Sequence, residues 1–108
     1  MRVLFDQATP VPLRAFLSGH TISTAAQQRW AALENGARLR AAEAEGFDVL
    51  VTTDKNMRYQ QNLAGSRIAI VVLGYAQWGP RLEQHANRVA AAINAAEPGT
   101  YTNVDIPE

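Results

Sequence analysis

Three short segments of the chain are apolar almost throughout, residues 3–5, 49–51 and 68–73. Their hydrophobicity is continuous rather than alternating and rich in Val and Ile, which is typical of strands that are covered on both faces. A shorter strand is predicted over 20–24, and weak alternation over 100–106 predicts an edge strand. The pattern therefore predicts a sheet of mostly parallel strands.

Helix-like segments separate these strands. Thr9 is predicted to cap a first helix with Pro10 in its first turn. An Ala-rich helix is predicted over 35–45, where a glycine follows, and a further helix over 54–63. The clearest helical pattern runs from Pro80 towards residue 96, with apolar residues on one face.

Alternating strands and helices predict an α/β sandwich with a mostly parallel sheet. We expect one domain over 1–108, in which the tail 97–108 adds an edge strand. Strand 3–6 is predicted to lie centrally, with 20–24 on one side and 48–53, then 68–73, on the other. The order of connection then reverses between the first and third strands, where open α/β sheets bind ligands.

Composition narrows the class of protein. Hydrophobic residues make up 47% of the chain, enough for a core, and the absence of cysteine excludes disulfides and thiolate sites. Ten basic and ten acidic residues cancel, which argues against coating nucleic acid by bulk charge. The longest apolar run is far short of the roughly 20 residues that span a bilayer, so we expect a soluble cytoplasmic protein without membrane contact.

Two carboxylates follow the strands on either side of this switch point, Asp6 and Asp54. Adjacent parallel strands lie about 4.8 Å apart, so both side chains are able to converge on one ion. Carboxylates with water suit Mg²⁺ or Mn²⁺, which activate water for cleavage of a phosphodiester. Asp is also a favoured helix N-cap, so the alternative is that both residues merely begin the next segment.

The order of motifs resembles the compact bacterial PIN-like domains that are related to VapC-type toxins. Val3-Leu4-Phe5-Asp6, Pro10, Leu17-Ser18-Gly19-His20, Thr52-Thr53-Asp54 and Lys55-Asn56 carry the resemblance, which covers about residues 1–73. It implies a three-layer α/β/α fold, metal-dependent cleavage of RNA, and a toxin that a cognate antitoxin neutralises. Asp6 and Asp54 then correspond to catalytic, metal-binding carboxylates.

The chain departs from this family where further acidic residues are expected. Gln7 and Asn56 stand at two such positions, and Ala37 at a third, with Glu34 just upstream as the remaining candidate metal ligand. An amide offers only a neutral oxygen, which is a poorer ligand for a hard cation. The family's site has three or four carboxylates, of which Asp6 and Asp54 are present here, so the nuclease chemistry that the resemblance implies is expected to be weakened or absent.

Polar residues after Asp54 are candidates for substrate binding: Lys55, Asn56, Arg58 and Tyr59. Basic side chains bind phosphates and a tyrosine stacks on a base, whereas the alternative is a solvated helix face. His20 is expected to make a structural hydrogen bond, and His85 to lie away from the site. Trp30 with Leu33, if exposed, is the candidate contact for an antitoxin or a second copy in a homodimer.

Two hypotheses follow. The first is a metal-dependent PIN-like ribonuclease, the toxin-like component of a toxin–antitoxin pair. The second is a PIN-like module with weakened or lost catalysis that binds RNA or a protein partner. A receiver-like regulatory domain also places aspartates at strand ends, but this chain lacks the paired acids after its first strand.

Overall fold

The structure is a computed structural model that describes residues 1–55, 63 and 65–108. Its five strands are Arg2–Phe5 (β1), Thr21–Thr24 (β2), Val49–Thr52 (β3), Ala69–Leu73 (β4) and Tyr101–Val104 (β5). They form one sheet in the order β2-β1-β3-β4-β5, and every neighbouring pair is parallel. The predicted strand order, the switch point between β1 and β3, and the edge strand in the tail are all confirmed.

Helical segments connect the strands. They are a 3₁₀ helix over Val11–Phe16 and the α-helices Asn35–Glu45 (α1), Pro80–Gln84 (α2) and Ala86–Asn94 (α3). Helix α1 ends as predicted at Gly46, whose φ of +91° is a left-handed conformation that glycine adopts without strain. No helix in the described ranges is long and apolar enough to cross a membrane. The helix predicted over 54–63 lies largely outside the described residues.

The sheet is covered on both faces, so the molecule has three layers. One face packs side chains such as Phe5 and Val71 against the 3₁₀ helix, α2 and α3, which contribute Leu13, Leu82 and Val89. The opposite face has its own buried cluster of residues: Leu4, Leu39, Ala42, Phe47, Leu50, Ile68, Ile70 and Val72. Successive strand residues point to opposite faces, so continuous apolar runs supply both cores. The expected three-layer α/β sandwich is confirmed.

Two local predictions differ from the structure. Thr9 does not cap the first helix: its hydroxyl donates to the Val51 carbonyl at 2.9 Å, and Pro10 stands at the N-cap position. The hydroxyl thus fastens the loop after β1 to the end of β3. The helix predicted from Pro80 onward is divided at His85, whose φ and ψ are −108° and 9°. His85 Nε2 lies 3.0 Å from the Pro107 carbonyl oxygen, so the interruption brings its ring against the C-terminal segment.

Arg29 is the one non-glycine residue with positive φ, +63°, among those that the structure describes. It lies in the turn between β2 and α1, where its amide donates to Ala26 and the next amide donates to Ala25. For residues other than glycine this conformation costs about 1–2 kcal/mol, because Cβ crowds the following carbonyl oxygen. The turn therefore carries local strain.

Replacing Arg29 with glycine is expected to stabilise the fold. Glycine relieves the strain in the folded state, but it also makes the unfolded chain more flexible, which favours unfolding. The first effect is the larger, so the free energy of unfolding should rise by about 0.5–1 kcal/mol. Chemical denaturation measures it. Arg29→Ala removes the same charge but keeps Cβ, so it should give little or no gain; equal gains for both variants would contradict the strain argument.

Candidate functional site

Asp6 lies at the carboxyl end of β1, as predicted, but its carboxylate is buried, with only 7% exposed. Arg38 Nη1 donates to Oδ1 in an ion pair, and the Thr52 hydroxyl donates to Oδ2 at 2.9 Å. The burial of both charged side chains means that each stabilises the other in a place that water scarcely reaches. Asp6 is therefore half of a buried ion pair rather than an open ligand.

The Arg38 guanidinium has further partners besides Asp6. Its Nε donates to the Trp30 carbonyl at 3.2 Å, and Nη2 donates to the Ala31 and Leu33 carbonyls at 3.1 and 2.6 Å. These bonds join α1 to the segment before it and to the end of β1. A planar guanidinium presents its donors in a rigid fork, which suits it to this bridging position.

Asp54 follows β3 and is partly buried. Its Oδ2 accepts a hydrogen bond from Asn35 Nδ2 at 2.5 Å, and its amide donates to the Thr52 hydroxyl at 3.1 Å. Since that hydroxyl also donates to Asp6, Thr52 connects the two aspartates. The structure thus brings Asp6 and Asp54 to one region, as the strand order predicts.

The other predicted site residues have different positions. Glu34 is exposed at the N-cap of α1, where its side chain makes no capping bond. Lys55 is exposed beside Asp54. Asn56, Arg58 and Tyr59 lie outside the described residues.

The residues present do not fit Mg²⁺ or Mn²⁺ held between the two aspartates. Such ions need several oxygen ligands in regular geometry, and a guanidinium against Asp6 repels a second cation there. Across 1–55, 63 and 65–108, no three His, Cys, Asp or Glu side chains group as metal ligands. The positive charge that a metal would bring to Asp6 is already supplied by Arg38.

Sequence reasoning missed Arg38, Thr52 and Asn35 as parts of this site. One signal was available: Arg38 lies four residues before Ala42, on the face of α1 that also buries Leu39. An arginine on the apolar face of a helix needs a buried acceptor. Thr52 was marked only as a member of the Thr52-Thr53-Asp54 motif, and the hydrogen bond of Asn35 has no sequence signal.

The structure also shows the surroundings of Trp30 and His20, two residues that the sequence analysis singled out. Trp30 is partly buried and meets the Phe47 ring edge-on, with centroids 6.0 Å apart, so it packs against the core. The His20 ring lies between the N-terminal amine and Asn94 Oδ1, at 3.2 and 2.5 Å. Its role is the structural hydrogen bond that was predicted.

Comparison with protein-family models, curated proteins and solved structures returns no match. The assignment of function therefore depends on the geometry of the carboxyl end of the sheet.

Removing the charge of Asp6 is expected to destabilise the protein strongly. Asp6→Asn leaves the buried Arg38 without its counter-ion, and breaking a buried pair in this way costs about 3–5 kcal/mol. Asp54→Asn is the matched control: its amide oxygen still accepts from Asn35, so we expect a loss of about 1 kcal/mol or less. Urea denaturation measures both.

If Asp6 and Asp54 were open metal ligands, neutralising one of them would relieve the repulsion between two neighbouring carboxylates and would not lower stability. Stability that is unchanged or raised in Asp6→Asn would contradict the structural role of Asp6. A double-mutant cycle with Arg38→Met should show strong coupling to position 6, since both residues belong to one pair.

Proposed function

We propose that this chain is a PIN-like domain that binds RNA at the carboxyl end of its sheet without metal-dependent cleavage. The observation that carries the proposal is the buried Arg38–Asp6 pair. It neutralises the first carboxylate on which cleavage would depend, and the family's other acidic positions hold Gln7, Ala37 and Asn56.

Charge supports RNA as the ligand. Although the chain is neutral overall, a basic residue, Lys55, directly follows Asp54 at the site. Lys55 is exposed and forms no ion pair within the described chain. Local basic side chains are sufficient to bind phosphates even where net charge is zero.

The first hypothesis, a metal-dependent ribonuclease of toxin type, is favoured by the approach of Asp6 and Asp54 through Thr52. It requires Arg38 to leave Asp6. A cognate antitoxin or a second copy of the chain stays a prediction, and exposed apolar side chains of the 3₁₀ helix, Val11 and Phe16, offer a contact surface.

Fluorescence anisotropy with labelled single-stranded and hairpin RNA tests the proposal. We expect binding that is equally strong in EDTA and in Mn²⁺, and that weakens steeply with salt because phosphate contacts release counterions. Gel analysis of the same mixtures should show intact RNA.

Asp54→Asn separates the two hypotheses, because this variant keeps the buried pair intact. Mn²⁺-dependent cleavage by the wild type that disappears in Asp54→Asn would establish the nuclease and overturn our proposal. Failure to bind either RNA would overturn it as well.

A further inference from the structure

A cleft of about 420 Å³ opens where β3 and β4 end, and neither Asp6 nor Arg38 lines it. Its lining residues come from the segments that follow these two strands: Thr53, Lys55, Leu73, Gly74, Tyr75, Ala76 and Gln77. Small-molecule sites usually occupy about 300–1,000 Å³ and lie beyond the carboxyl ends of parallel strands. In both size and position the cleft is suited to a ligand.

Packing holds the β4 side of the cleft in place. The Gly74 amide donates to the Val104 carbonyl at 2.9 Å, and a Cβ at this position would lie only 3.2 Å from the same oxygen. The Arg81 guanidinium stacks over the Tyr75 ring at 3.8 Å and donates twice to the Ile106 carbonyl. The segment after β4 is thus fastened to the C-terminal segment, so this side of the cleft is preformed.

The described residues of the lining are rich in hydrogen-bond donors, and none of them is acidic. Lys55 contributes an exposed ammonium group. Within the described chain, the backbone amides of residues 75–77 donate to no protein acceptor, and the Thr53 hydroxyl makes no hydrogen bond. Groups of this kind bind oxyanions, with backbone amides and a lysine sharing the negative charge.

We propose that this cleft binds a nucleotide phosphate, with the phosphate against Lys55 and the loop amides and the nucleoside beside Tyr75 and Gln77. The volume exceeds what an inorganic phosphate needs, which favours a nucleotide. The inference rests on the proposed function in one respect: the nucleotide belongs to an RNA strand. A free mononucleotide offers the same chemistry, and the experiment distinguishes the two.

Two variants test the cleft by different physical means. Lys55→Gln removes the cation, so RNA binding should weaken and the slope of log K against log salt should fall by about 1. Ala76→Phe fills the cleft at an exposed loop position without changing charge, and should weaken binding about tenfold by exclusion. Thermal unfolding of each variant confirms that it is folded.

Arg67→Gln is the matched control for charge. Arg67 is exposed and precedes β4, so it lies at the opposite, amino end of the sheet. Its loss should leave RNA affinity within about twofold, since a distant charge acts only through the screened field.

The titrations use labelled RNA, adenosine 5′-monophosphate and inorganic phosphate. RNA binding that neither Lys55→Gln nor Ala76→Phe weakens overturns the cleft but leaves the proposed function standing. Loss of the monophosphate's binding in Ala76→Phe, with no RNA binding by any form, refutes the proposed function and supports a free-nucleotide site. Absence of binding by all three ligands overturns both proposals.

Discussion

The buried pair of Arg38 and Asp6 is the constraint on which the carboxyl end of the sheet depends. A carboxylate at the end of β1 and a guanidinium on the apolar face of α1 are both costly to bury alone. Together, and with three carbonyl oxygens of residues 30–33 accepting from the same guanidinium, they hold the segment before α1 against the sheet. The same ion pair therefore fixes both the position of α1 and the conformation of the site.

The buried ion pair also limits the chemistry that is available at the carboxyl end of the sheet. Parallel strands bring Asp6 and Asp54 together, as a metal site requires, but the charge at Asp6 is satisfied from within the protein. Hydrogen-bond donors remain available in the neighbouring cleft after β3 and β4, where Lys55 and residues 75–77 line the wall and none of the described lining residues is acidic. Our proposals of RNA binding and of a nucleotide cleft both follow from this division between a neutralised carboxylate and free donors.

Much of the fold was predictable because it depends on burial. Apolar runs over 3–5, 49–51 and 68–73 identify strands that are covered on both faces, and the alternation with helices restricts their order. The predictions differ from the structure where a polar side chain bonds to a distant partner instead of a local one. Thr9 prefers the Val51 carbonyl to its own helix, and His85 interrupts a regular helical pattern beside the Pro107 carbonyl.

The sequence by itself determined the layered α/β fold and the placement of two aspartates at neighbouring strand ends, because hydrophobic periodicity and strand polarity are local properties. Only the tertiary structure decided what those aspartates do. Arg38 is 32 residues from Asp6 along the chain, and Thr52 is 46 residues away. Whether a carboxylate meets a metal ion or an arginine depends on which side chains folding brings within hydrogen-bonding distance, and spacing along the chain does not encode that choice.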